Sequence, residues 1–178
     1  MRKGKPLLLL LMIFGLLSGQ KAIAAAQFKV EGQIYKTTCT LQTPGDGTSI
    51  ALDEVTTEAL IASTTLVSAK EFTININCSA PSYLHEVTGK FTTDGEIDSS
   101  VKALKNTITD ATGAKDVGLQ IKDKTTDTVV DFSTTQQFTL PLSSDNSASF
   151  RFEIGYINLG VPEKGDVHAA ATFTLTYA

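Results

Sequence analysis

The last fourteen residues, Gly165 to Ala178, constrain the fold more than any other stretch of the chain. From Val167 the odd positions are Val167, Ala169, Ala171, Phe173, Leu175 and Tyr177. The even positions are His168, Ala170, Thr172, Thr174, Thr176 and Ala178. Apolar residues recur at every second position with mostly polar ones between, which is the period of a half-buried β-strand and not of a helix. The pattern runs to Ala178. A strand with so large an apolar face needs a neighbour on each side, so the tail is expected to take a strand from elsewhere.

The opposite end sets the compartment. Arg2, Lys3 and Lys5 precede an apolar run from Leu7 to Leu17, and Ala22-Ile23-Ala24 offers small residues at a cleavage site. The run is too short to span a bilayer, and the whole reads as a secretory signal over residues 1–24. Cleavage after Ala26 is the alternative. Without residues 1–24, 154 of the 178 residues remain, enough for one domain with a core. The removed segment carries Arg2, Lys3, Lys5 and Lys21, so fifteen basic groups become eleven against nineteen acidic ones, and the net charge moves from -4 to -8. That balance argues against nucleic acid as a partner. Cys39 and Cys78 are the two cysteines, and an even count in an exported chain argues for one disulfide between them. A metal site or a catalytic thiol finds no support, because no Cys-x-x-Cys pair is present and both histidines are distant in sequence.

The rest reads as short strands between turns. Phe72, Ile74, Ile76 and Cys78 alternate on one face, as do Phe150, Phe152, Ile154 and Tyr156, and Leu119 with Ile121 in Val117–Lys122. Val87–Thr93 is a weaker strand and Phe138–Leu142 a short one, with Pro141 suited to an edge or strand end. Turn signals fall at Pro44–Gly47, Asp94-Gly95, Thr112-Gly113, Ser143–Asn146 and Pro162–Gly165. Val55–Leu66 and Ser99–Asn106 are the two places where a helical turn fits. This spacing predicts an all-β sandwich. At the start of the mature chain, Ala26, Phe28, Val30, Gly32 and Ile34 share one face and Gln27, Lys29, Glu31 and Gln33 the other. That is a spare amphipathic strand at a free end.

The two ends together resemble the pilins of chaperone–usher fimbriae. The tail matches their C-terminal signature, with Gly165 fourteenth from the end, alternating apolar residues and the penultimate Tyr177. The N-terminal segment resembles their donor segment, whose glycine lies seven residues before the first cysteine, as Gly32 lies before Cys39. The Val117–Asp123 stretch and the Phe152-x-x-x-Tyr156 strand also look like pilin elements, while residues 80–145 match loosely.

The resemblance implies an incomplete immunoglobulin-like β-sandwich lacking its last strand, with a donor-strand extension over residues 25–36 and the pilin domain over 37–178. It implies a groove beside the C-terminal strand, edged by Gly165, Phe173, Leu175, Tyr177 and the terminal carboxylate of Ala178. A periplasmic chaperone fills that groove first. At an outer-membrane usher, the donor segment of a neighbouring subunit (Ala26, Phe28, Val30, Gly32 and Ile34) replaces it. This is strand addition, in which main-chain hydrogen bonds supply affinity and alternate side chains supply register. The expected product is an extracellular fimbria on the bacterial surface that serves adhesion. A minor adaptor or terminator pilin, or a secreted carbohydrate-binding sandwich, is the alternative.

Enzymatic readings lack parts. His85 and His168 have no nucleophile motif beside them. Asp94-Gly95-Glu96-Ile97-Asp98 lacks the ligand spacing of a calcium loop, and no cofactor motif is present. Asn77-Cys78-Ser79 matches a glycosylation sequon but overlaps the expected disulfide. Tryptophan is absent and most aromatic residues fall on inward strand faces, which argues against a sugar-stacking platform.

Overall fold

A computed structural model describes residues 39–43, 49–79 and 84–177. The signal segment, the whole donor segment (Ala26, Phe28, Val30, Gly32 and Ile34 included), the Pro44–Gly47 turn and Ala178 lie outside the described residues.

The regular structure of the described chain is almost all strand, as the alternation predicts. In order it forms β1 (Cys39–Gln42), α1 (Thr57–Ala62), β2 (Val67–Cys78), β3 (Glu86–Thr92), β4 (Ile97–Asp98), β5 (Ala103–Lys105), β6 (Lys115–Asp123), β7 (Thr128–Val129), β8 (Phe138–Pro141), β9 (Ser147–Glu163) and β10 (Thr172–Tyr177). The larger sheet has the order β1-β2-β9-β6-β5-β4, with β7 also paired to β6, and the smaller has the order β10-β3-β8. Every strand pair is antiparallel.

The register explains the core. In β2 and β9, Phe72 faces Phe152, Ile74 faces Phe150 and Ile76 faces Ala148, so the predicted inward residues meet directly. All of these are buried, with Phe152 only 1% exposed. Burial of each large apolar side chain contributes about 1.5–3 kcal/mol. The sheets meet through phenylalanine rings. Phe91 of β3 stands edge-on to Phe152 at 4.9 Å, and Phe138 of β8 does so at 5.4 Å. Such edge-to-face contacts add to plain burial. Leu119 and Ile121 of β6 are buried as expected, and Val117 joins them.

A second cluster gathers Leu60 of α1 with Ala114 and Val117, flanked by Val55, Val67, Tyr156 and Val167. The helix lies inside the predicted Val55–Leu66 stretch. Thr56 caps it, its Oγ1 accepting from the Ala59 amide at 3.2 Å. Ser99–Asn106 differs from expectation. There the Asp98 carboxylate accepts from the Ser100 and Val101 amides, which closes a turn, and the chain then enters β5. Asx turns of this kind compete with helix. Pro162, expected in a turn, is instead buried near the end of β9. Pro141 closes β8, an edge strand, where a missing amide hydrogen leaves no gap in a ladder. Asn146 in the Ser143–Asn146 turn takes φ 59°, a left-handed geometry that asparagine tolerates.

Candidate strand-acceptor groove

The site is built from the chain's last strand. In β10, Phe173, Leu175 and Tyr177 are half-buried while Thr172, Thr174 and Thr176 are exposed. The strand pairs with β3, placing Phe173 opposite Phe91, Leu175 opposite Gly89 and Tyr177 opposite Val87. Among the described residues no strand lies along its other edge. Its apolar face therefore rests on the core on one side only, which is why these side chains stop at half burial.

Phe173 is the deepest of the three. Its ring meets Phe91 at 4.9 Å, Phe150 at 5.3 Å and Phe152 at 6.1 Å. It also lies over Gly89, where a Cβ would come within 2.1 Å of the ring's Cζ. Gly89 points inward between Val87 and Phe91, so the Phe173 ring occupies the space a β3 side chain would fill.

The facing wall is β1. Cys39 sits opposite Cys78 in register, and the two are joined by the disulfide, with Cα atoms 4.0 Å apart. Leu41, 42% exposed, and Ile50, 36% exposed, border a cleft of about 470 Å³. Residues 167–171 and Phe173 form its other border, and core residues such as Phe72, Ile74 and Ile121 lie at its floor. Large apolar residues at the mouth of an apolar cleft call for an apolar partner.

The tail departs from expectation before Thr172. Alternation begins at Val167, yet strand pairing starts five residues later. Residues 167–171 cross from the larger sheet to the smaller one, fastened by side chains and a single backbone bond, from the Thr107 amide to the His168 carbonyl, instead of a ladder. The crossing starts at Gly165 (φ +156°), where a Cβ would fall 2.4 Å from the Ala114 nitrogen and 2.6 Å from the Thr112 oxygen. Asp166 then bridges to Gly113. The approach is backbone on backbone, so a glycine is required there. The loop it meets is fixed by Asp110, whose carboxylate accepts from the amide and hydroxyl of Thr112. The Thr112 hydroxyl holds that carboxyl below the usual aspartate range.

Beyond Gly165, the side-chain amide of Asn106 bonds to Asp166 and His168, Thr107 bonds to His168, and the Thr93 hydroxyl bonds to the Ala170 carbonyl. His168 is exposed, as expected of a surface histidine, and its Nδ1 lies 2.9 Å from the Thr107 hydroxyl. His85 is exposed too, its carbonyl accepting from the Leu142 amide. The Asp94–Asp98 stretch is a bend at Asp94 and Gly95 that leads into β4. Within it Glu96 pairs with Lys105 at 3.4 Å, and the Ser100 hydroxyl lowers the Asp98 carboxyl below its ordinary range. Among the described residues no group of three or more histidine, cysteine or acidic side chains is placed to hold a metal ion.

The described residues form a two-sheet β-sandwich with an apolar cleft between β1 and the segment that leads into β10. The chain belongs to the fimbrial protein family, which matches it over residues 28–178. That family makes the chain a fimbrial subunit, and solved pilus structures share its fold. The P pilus rod subunit PapA shares the fold at a TM-score of 0.62 and 16% identity, over 79% of this chain and 99% of that one. A chaperone–usher pilus solved for the molecular basis of rod uncoiling gives 0.60 and 14% identity, over 88% and 97%. The CupB6 tip adhesin of Pseudomonas aeruginosa gives 0.50 and 20% identity, and the match covers 63% of this chain but only 31% of the adhesin. No curated protein matches at a significant level.

Sequence reading missed Gly89, Asn106, Thr107 and Thr93. Gly89 carried a faint signal as a glycine inside an alternating strand, a position that often marks a close approach. The others are single polar residues beside short strands and carry no periodic signal.

Proposed function

We propose that the cleft between β1 and β10 receives the donor segment of a neighbouring copy, so that subunits polymerise by exchanging strands. The observation that carries this is the half-buried face of Phe173, Leu175 and Tyr177 on an edge strand whose Phe173 borders an apolar cleft of about 470 Å³. Strand addition there pairs the β10 edge and covers that face in one step. In the donor, Phe28 and Val30 supply the apolar side chains, and Gly32 supplies none where two backbones approach. Before assembly a periplasmic chaperone strand holds the same place, reading Phe173, Leu175 and Tyr177 and anchoring on the Ala178 carboxylate. An open apolar edge aggregates unless covered. At an outer-membrane usher the donor of the next subunit displaces it, and the fibre grows outside the cell as an adhesive organelle.

Deleting Ala25 to Gln33 tests this. The expected product is a folded, disulfide-bonded, chaperone-bound domain that never enters a fibre. If the chaperone-bound domain instead unfolds, those residues are core of their own domain and the exchange reading fails.

A further inference from the structure

We propose that Asn106, with Thr107 and Thr93, takes the place of a neighbouring strand along the groove's rim at residues 167–171, and so sets how long the groove retains a donor strand. The inference rests on the strand-exchange reading above and assigns positioning residues to it.

Asn106 uses its whole amide. Nδ2 donates to the Ala114 carbonyl at 2.9 Å and to the Asp166 carbonyl at 2.8 Å. Oδ1 accepts from the Ile108 amide at 3.1 Å and from the His168 amide at 2.9 Å. Two donors and two lone pairs are all that such a side chain has. The reversed orientation would set its NH₂ against two N–H groups, so the network fixes which way it points. One side chain thereby joins the exit of β5, the loop before β6 and the start of the rim. Thr107 adds its amide to the His168 carbonyl at 2.8 Å and its hydroxyl to the same oxygen at 3.0 Å. The Thr93 hydroxyl donates to the Ala170 carbonyl at 2.7 Å.

These contacts repeat with a period of two. The carbonyls of His168 and Ala170 both turn toward the body. In extended backbone the carbonyl between them, that of Ala169, turns the other way, toward the groove. Burial alternates likewise, with Val167 and Ala169 half-buried and His168 and Ala170 exposed. The rim is thus a strand edge satisfied on one side by side chains and the Thr107 amide, and it continues the β10 edge for an incoming strand. Released from Asn106, residues 167–171 become an ordinary loop. A donor must then order that loop at the moment of binding, which weakens the complex.

The test follows release of a labelled peptide, Ala25 to Lys36, from the mature chain after dilution into excess unlabelled peptide, read by fluorescence anisotropy. Asn106→Asp keeps the shape but turns two donors into acceptors facing the Ala114 and Asp166 carbonyls. It is expected to speed release about tenfold, the effect of losing one or two net hydrogen bonds. Thr107→Val keeps the backbone bond to His168 and is expected to speed release about threefold, the effect of one weaker bond. Hydrogen exchange should rise at Ala169 and Ala171 and stay unchanged in β2 and β9. Val130→Ala, at a fully buried residue that does not itself line the cleft, lowers global stability and should leave release unchanged. Should Asn106→Asp fail to fold, Thr107→Val and Thr93→Val decide. Release at the parent rate in the folded variants, or equal acceleration by Val130→Ala, overturns the positioning role. If the parent chain takes up no peptide, or takes a Phe28→Asp peptide equally well, the strand-exchange reading falls first.

Discussion

Replacing Cys39 and Cys78 together by serine removes more than a covalent link. The bond closes a sequence separation of 39, and for a loop of that size the chain-entropy relation gives about 4 kcal/mol. The strand it tethers is weak by itself. β1 has four residues, and beyond the half-buried Cys39 the other three are exposed. Ordering their backbone costs about 1–2 kcal/mol per residue, while each ladder hydrogen bond returns about 1 kcal/mol. Without the disulfide the balance turns against β1, and the groove loses the wall that carries Leu41. The expected result in urea is a midpoint lowered by about 2 M, taking a denaturant slope of about 2 kcal/mol per molar. Hydrogen exchange of the β1 amides should rise to that of free chain under native conditions. A loss below about 1 kcal/mol, with β1 still protected, would show that pairing with β2 alone holds the wall and would refute the reasoning.

Three further substitutions probe the acceptor edge. Gly165→Ala drives a Cβ to 2.4 Å from the Ala114 nitrogen and is expected to lower stability by about 1–3 kcal/mol; an unchanged thermal midpoint would mean the 112–114 segment yields freely. Phe173→Ala is expected to cost about 2–4 kcal/mol, the lower range for a phenylalanine that is half-buried. Gly89→Ala should destabilise the parent but be tolerated beside Phe173→Ala, because the ring it would strike is gone; additive losses in the double-mutant cycle would disprove that contact.

How much of this was legible depends on what leaves a period in the sequence. β2, β6 and the first half of β9 were readable because Phe72, Ile74, Ile76, Leu119, Ile121, Phe150 and Phe152 all face one core. The far half of β9 was not. There Gly155 and Ile157 are buried while Tyr156 packs into the α1 cluster, so both faces are covered and alternation is lost. β4, β5 and β7 have two or three residues each, too few to carry any period. The tail shows the reverse error. Val167 and Ala169 are half-buried as its alternation predicts, and so are Phe173, Leu175 and Tyr177, but Ala171, expected inward, is exposed; alternation reports burial and not pairing. A rim held by Asn106 and Thr93 alternates just as a laddered strand does. The groove itself was expected from the tail and the resemblance, whereas its walls depend on register and loop packing that a single sequence leaves unwritten.

The short β8 bears on valence in the smaller sheet. The smaller sheet has two edges, and a strand can in principle add to either. On the β8 side only four residues are available, and the last of them, Pro141, has no hydrogen to donate. On the β10 side six residues pair and the rim extends them. A monomer with one plug and one socket makes an unbranched line, whereas a second socket would make branches and finally a gel. In the strand-exchange reading proposed above, Pro141 blunts the β8 edge of the smaller sheet and so favours a thread.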